Sequence, residues 1–363
     1  MNVIVIGAGI IGCAVGYELA SRGVRVRLLD GRGVGQGATQ ASAGVLCPHI
    51  EGHSASLRRL GVRSLDMYDE FVARVASDAN RSIEYRRTGT LEVALNAAEA
   101  ERLQAVAAAH ASEGIDHEYV GPRSAIDLEP TLSPQIAGAL LVPVHGYVGV
   151  AGLTDALAAA VERRGGTIER GVSVRSLSRA GGALQVEANG SVYEADAVVI
   201  AAGSWSSLIK IGEAAPVRPI RGQLLHLSCA SAPPSRVIWG SECYLVPWQD
   251  GSLLVGATVE DVGFDERATV AGVRNLVDRA CDLLPLVANA AFGGVRVGLR
   301  PATSDELPIV GRSTTDGGVY YATGHYRNGV LLAPLTGAAV ADLIVNDITS
   351  PELAVTNPAR FGL

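Results

Sequence analysis

Three glycines and an aspartate near the start of the chain have the types and spacing to hold a nucleotide. Gly7, Gly9 and Gly12 form G-x-G-x-x-G within the stretch MNVIVIGAGIIGCAVGYELASRGVRVRLLD, which Asp30 closes. Gly7 permits a tight turn, Gly9 lets the backbone approach a pyrophosphate with no Cβ in the way, and Gly12 lets a helix pack closely on a strand. The amides of Ile10 and Ile11, at the positive end of that helix, favour an anion. Asp30 can accept hydrogen bonds from both hydroxyls of an adenosine ribose and would repel a 2′-phosphate. The motif alone does not separate NAD from FAD.

The elements that must position these residues are legible around them. Val3 to Ile6 is a continuous apolar run, as a strand buried on both faces of a parallel sheet requires, and Val24 to Leu29 delivers Asp30. Small residues fill the loop from Gly31 through Ala38 and Thr39 to Val45. Apolar spacing predicts helices over Leu57 to Val75, Ala97 to Ser112, Gly152 to Arg164 and Val270 to Leu284. Strands are expected at Ile83 to Ala94, Thr167 to Leu177, Gln185 to Ala188 and Ser191 to Ala195, and Asp250-Gly251 marks a hairpin turn. Ala197 to Ser206 reads as a second apolar strand ending in small residues and a glycine; its Ala202 and Gly203 fit either a second nucleotide-proximal turn or an ordinary one. The adjacent Glu260 and Asp261 read as a solvated strand end. Alternating α/β and β-rich blocks predict an α/β fold: a Rossmann-like nucleotide domain in separated segments and a second, β-rich antiparallel domain inserted twice. The expected division is 1–82, 148–215 and 296–363 for the first, and 83–147 with 216–295 for the second.

Composition narrows the function classes. With 363 residues the chain is long for one core, and its 48% hydrophobic content is ample for burial. A net charge of −7 gives no electrostatic footprint for nucleic acid or an anionic membrane surface, and both are set aside as partners. The first strand begins too early to follow a secretory signal, and the apolar run Val330 to Val345 is broken by Pro334, Gly337 and Asp342. Five cysteines without C-x-x-C spacing indicate neither a disulfide framework nor zinc, so a reducing cytoplasm is expected. His49 and His53 stand without further ligands nearby and read as polar or packing residues; no metal is expected.

In order along the chain, VIVIGAGIIGCAVGYELASRG with Asp30, GATQASAGVL from Gly37, VVIAAGSWS from Val198, CYLVPWQDGSLLVGAT from Cys243, GLRPATSDELPIVGR from Gly298 and ATGHYRNGVLLAP from Ala322 form a set. Nearly end to end, this set resembles the D-amino-acid oxidase superfamily of flavoproteins, and within it the glycine oxidases of thiamine-biosynthesis type. The resemblance implies a two-domain flavoprotein with FAD held in extended form. Ala38, Thr39, Ala43, Gly44 and Val45 would lie along the flavin, with Gly31 and Val174 near the adenine end. His325, Tyr326, Arg327, Asn328, Gly329, Val330 and Leu331 would wrap the pyrimidine edge of the ring. A neighbouring family attaches its flavin through a cysteine near the segment that here reads Gly298 to Ser304, which has none, so non-covalent FAD is expected.

The resemblance further implies that Arg300 holds a substrate carboxylate, a role for which a planar guanidinium fork is suited. Tyr244 would bond the same carboxylate, and Arg327 would lie near flavin and substrate. The implied reaction is hydride transfer from the substrate Cα to flavin N5, imine hydrolysis, and reoxidation by O2 to peroxide. The substrate would be a small amino acid or amine and the enzyme a homo-oligomer, tetrameric in similar proteins. Departures fall at the substrate: Val45 and Val259 stand where methionines are usual, and Glu242 replaces a histidine. Glu242 can face either the pocket or solvent. A dehydrogenase on the same fold serving a quinone or carrier, and a non-catalytic flavin-binding subunit, are the alternatives; Arg300 together with Tyr244 argues against the latter.

Overall fold

The computed structural model describes residues 1–51, 54–229 and 232–363. A six-stranded sheet runs in the order Ile309–Arg312, Val319–Thr323, Ala197–Ile200, Asn2–Ile6, Arg25–Asp30, Thr167–Arg170. The strand Asn2–Ile6 pairs in parallel on both sides, Val3 with Ala197 and with Val26, which is why Val3 to Ile6 are apolar throughout and at most 4% exposed. The helix Ile10–Ser21 returns the chain between the first two strands and is buried on nearly every side, against the helices Val150–Arg163 and Ala333–Asn346. That close approach depends on small residues: a Cβ on Gly16 would meet Leu28 at 2.8 Å, and one on Gly337 would meet the Ala14 carbonyl at 3.0 Å.

An eight-stranded sheet, antiparallel except between Val237–Trp239 and Thr90–Ala94, runs Ala291–Ala302, Arg218–Ser228, Ser252–Gly256, Tyr244–Pro247, Val237–Trp239, Thr90–Ala94, Gly138–Val142, Glu118–Val120. Its two faces separate by the alternation of strand side chains. Leu225, Leu227, Leu245 and Val255 pack under the helix Val270–Leu283, while Leu224, Trp239, Val246 and Leu254 pack with Ala43 and Tyr147 on the other face. Val45–Leu46 and Tyr85–Arg86 flank Gly146–Val148 in a small sheet, and Val174–Ala180, Ala183–Ala188 and Ser191–Ala195 form another. The α/β class with a mixed sheet and an antiparallel one is as the sequence predicts. The predicted helix over Leu57 to Val75 is instead two, Ala55–Asp66 and Tyr68–Ala79, meeting at Met67. Each buries its own stripe, Leu57, Leu60 and Leu65 then Phe71, Val72 and Val75, so a continuous apolar spacing hides the break. The Asp250-Gly251 hairpin is present, with Gly251 at φ +83°.

Candidate active site

An elongated cavity of about 490 Å³ lies between the carboxyl ends of the six-stranded sheet and the Leu224 face of the eight-stranded one. This is where an open parallel sheet places a ligand. Of the cofactor contacts expected from sequence, all but Gly12 and Gly44 line it. Those two act in packing: a Cβ on Gly12 would lie 1.9 Å from the Gly7 carbonyl oxygen, and one on Gly44, at φ +74°, 1.9 Å from that of Val148.

The nucleotide side of the cavity is organised by Asp30. One carboxylate oxygen accepts from the Ala8 amide at 2.7 Å, and the other from the amides of Arg32 and Gly33, both at 2.8 Å. The carboxylate therefore ties the glycine turn to the loop after the second strand, and the oxygen that takes the Ala8 amide keeps acceptor capacity for a ribose hydroxyl. The helix start at Gly9 has no side-chain cap; Ile10 donates to the Thr39 hydroxyl at 3.1 Å, and the first turn otherwise opens on the cavity. On the opposite wall His325 is buried, bonded through Nε2 to the Thr336 hydroxyl at 3.0 Å, and its pKa is pushed down to about 3 by burial, so it stands as a neutral ring. Beside it, Asn328 lines the cavity, and its buried Nδ2 has no hydrogen-bond partner among the described residues. An uncapped helix start and a carboxylate with acceptor capacity left suit the pyrophosphate and the ribose of a dinucleotide.

Arg300 and Tyr244 enter the cavity from the second sheet. Both lie over glycines: a Cβ on Gly222 would sit 2.4 Å from Arg300 Nη1, and one on Gly256 would sit 2.6 Å from the Tyr244 hydroxyl. Arg300 donates through Nη1 to the carbonyls of Thr258 at 2.9 Å and Arg221 at 3.4 Å, and no carboxylate among the described residues pairs with it. The Tyr244 ring packs 4.8 Å from Trp239, centroid to centroid. Val45 and Arg327 also line the cavity.

Two expected pocket residues are not in its wall. Glu242 is half-exposed and paired with Arg279 of the helix Val270–Leu283, which turns it away to solvent; Val259 is 55% exposed. Glu260, expected to be solvated, is instead tied to Arg221, Gln223 and Thr258, whereas Asp261 is exposed and pairs with Arg218. The sequence also missed Arg32 and Trp205. Arg32 makes a forked pair with Glu266 at 2.9 and 2.6 Å and lies 4.4 Å over the Trp205 ring, which in turn tilts against Phe264 at 5.9 Å. These contacts join distant parts of the chain, so no local signal announces them.

None of the five cysteines lines the cavity or is in a disulfide. No group of three or more His, Cys, Asp or Glu among the described residues is arranged to hold a metal, and no helix among them is long and apolar enough to cross a membrane. His53 lies outside the described residues. His49 Nδ1 bonds His145 Nε2 at 2.9 Å, and the His110 ring tilts against His49 at 5.7 Å, centroid to centroid. Burial, then the neighbouring His110 and Arg58, push His49 down to about 4; burial, then His49 and Arg87, hold His145 well below the usual range. Between pH 6.5 and about 4 the unfolded chain therefore binds protons that the folded one does not, and stability falls as pH falls through that window. We expect Tm to drop by roughly 3–6 °C from pH 7 to pH 5, with a shallower slope in His145→Gln, checked by a thermal melt at each pH.

A cavity at the switch point of a parallel sheet, faced by an antiparallel sheet carrying an arginine and a tyrosine, defines a two-domain dinucleotide-binding oxidoreductase. The sequence matches the family described as FAD dependent oxidoreductase over residues 2–343. The chain belongs to that family, whose cofactor is FAD and whose members include amino-acid and amine oxidases. It is 32% identical over 359 residues to glycine oxidase of Geobacillus kaustophilus, spanning 97% of this chain and 95% of that one. Among solved structures it is similar to the glycine oxidase of Geobacillus kaustophilus, with a TM-score of 0.94, 31% identity and coverage of 98% and 97% of the two chains. It is also similar to iminodiacetate oxidase of Chelativorans, with a TM-score of 0.91, 27% identity and coverage of 98% of each chain.

Proposed function

We propose that this amino-acid oxidase acts on a small amine carrying a carboxymethyl unit, N–CH2–COO⁻, such as glycine or an N-substituted glycine. The observation that carries the reading is Arg300: a cation in the cavity wall, held only by backbone carbonyls and with no ion-pair partner among the described residues. Its remaining N–H groups can take a carboxylate as a fork, and Tyr244 stands on the same face to bond it. The names of both oxidases compared above denote substrates with that unit. Asp30 is the one acid among the lining residues, and it lies on the nucleotide side with three amides on it. With no acid beside Arg300 among the described residues to hold an ammonium, and a guanidinium that disfavours one, the amine reacts unprotonated, having lost its proton to solvent. FAD, when bound, supplies the hydride acceptor and the route of electrons to dioxygen. The chain's own residues bind and orient: Arg300 and Tyr244 fix the carboxylate, and Val45 bounds the space near it.

The test is an anaerobic visible spectrum of the yellow protein titrated with glycine, sarcosine, iminodiacetate and a D-amino-acid panel, then opened to air. Bleaching by a carboxymethyl amine, with recovery of colour and formation of peroxide, is the expected result. Bleaching only by amines lacking a carboxylate would overturn the substrate reading, and a bleached protein that air does not restore would replace the oxidase with a dehydrogenase.

A further inference from the structure

The Arg300 guanidinium is held by the segment that follows the strand Ser252–Gly256 and still bonds the strand Arg218–Ser228 through its backbone. The strand Ser252–Gly256 ends before Thr258, yet the Thr258 carbonyl accepts from Arg300 Nη1 at 2.9 Å. That carbonyl is fixed by the Thr258 amide, which donates to the Gln223 carbonyl at 3.3 Å, and by a side-chain network on the reverse face of the sheet, among residues that do not line the cavity. Glu260 is its centre. One of its carboxylate oxygens accepts from the Thr258 hydroxyl at 2.6 Å and from Gln223 Nε2 at 2.7 Å; the other accepts from Arg221 Nη2 at 2.5 Å. The Thr258 hydroxyl in turn accepts from the Gln223 amide at 2.9 Å. Backbone bonds between Arg221 and Glu260, at 2.8 and 3.0 Å, close the bridge.

The supports of this network are themselves buried. Arg221 is 4% exposed and reaches Asp265 at 2.9 Å with its second nitrogen, and Gln223 is fully buried and bonded to Thr269 at the start of the helix Val270–Leu283. The contacts are charge-assisted and short, the kind that hold a backbone group to a fixed direction. An anchor that grips a carboxylate with two parallel N–H groups must be aimed to within about 10–20°, and Arg300 is pivoted on Nη1 alone.

We propose that Glu260 is a positioning residue for substrate: by clamping Thr258 to the strand Arg218–Ser228, it sets the direction in which Arg300 presents its fork. The inference rests on the reading of Arg300 as the carboxylate anchor. Glu260 touches neither substrate nor FAD, so its loss should appear in carboxylate binding and not in the chemical step or in cofactor retention.

The experiment compares the holoenzyme with its Glu260→Ala, Glu260→Asp, Thr258→Val and Arg300→Lys variants. Readouts are KM and kcat on the carboxymethyl amine that the enzyme oxidises, the Kd of the amine-free analogue glycolate from its perturbation of the flavin spectrum, and the FAD Kd. In Glu260→Ala we expect KM and the glycolate Kd to rise together, about 10- to 50-fold, with kcat within about threefold and FAD affinity unchanged. Thr258→Val, which keeps the carbonyl but removes the hydroxyl from the network, should shift both in the same direction by less, and Glu260→Asp should recover part of the loss. A Glu260→Ala enzyme with wild-type KM and glycolate Kd overturns the inference, as does one in which KM, kcat and FAD affinity all collapse while Thr258→Val is normal. If Arg300→Lys itself leaves KM and glycolate binding untouched, the anchor reading fails; if it weakens both and Glu260→Ala does not, only the positioning role fails.

Discussion

Arg300→Ala is expected to keep its yellow colour and lose its substrate. Removing the guanidinium takes away the charge-assisted bonds to the carboxylate, worth about 2–4 kcal/mol, so kcat/KM should fall about 30- to 1,000-fold. The fall should lie mainly in KM, because a carboxylate is held in ground and transition states alike. The fold should tolerate the change: Arg300 gives the protein only two bonds to backbone carbonyls, and the glycine beneath it, Gly222, leaves open space when the side chain is cut back. Steady-state kinetics with a carboxymethyl amine, alongside a melt of the holoenzyme, separates the two contributions. A KM within threefold of wild type would remove Arg300 from the substrate site and with it the preference for carboxylates.

The second large effect belongs to Asp30. Its carboxylate takes three backbone amides, from Ala8, Arg32 and Gly33, so it is a structural acceptor before any ribose arrives. Asp30→Ala leaves those amides without their partner and removes the acceptor for the ribose hydroxyls. We expect apoprotein stability to fall by about 2–4 kcal/mol and FAD affinity to fall about 100-fold or more. Asp30→Asn should fall between, since its oxygen can still accept while its NH2 group faces donors. Denaturant unfolding of the apoprotein reads the first effect, and FAD titration of the apoprotein reads the second. An apoprotein of unchanged stability would mean that the loop after Asp30 holds itself, and unchanged FAD affinity would move the ribose contact to another residue.

How far the site could be read from sequence depended on whether the signal was local. The glycine turn, the helix start and Asp30 are neighbours in the chain and near the ends of two predicted strands, so their meeting follows from the pattern itself. Arg300, Tyr244 and the segment from His325 are far apart in sequence; only a family resemblance brought them together in advance, and the structure places all of them in one cavity wall. Glu242 stayed open between pocket and solvent because its neighbour in space, Arg279, lies on a helix that the sequence predicts but cannot orient. Glu260 was read as solvated because a pair of adjacent acids after a strand usually is; its bridge to Arg221 depends on pairing with the neighbouring strand Arg218–Ser228.

The sequence by itself determined the alternating fold class, the parallel strands buried on both faces, the nucleotide turn and the acid that closes it. These follow from periodicity, from glycine's lack of a Cβ and from hydrogen bonding over a few residues, all of which act along the chain. The tertiary structure alone decided which cations are already neutralised and which face the cavity. Arg32 is taken by Glu266 and stacked on Trp205, Arg221 is buried between Glu260 and Asp265, and Arg300 is left with backbone carbonyls and an open face. A guanidinium carries the same charge wherever it stands. Whether it binds a ligand or staples the fold is set by the partners that packing brings within about 3 Å, and that pairing is made across the sheets rather than along the sequence.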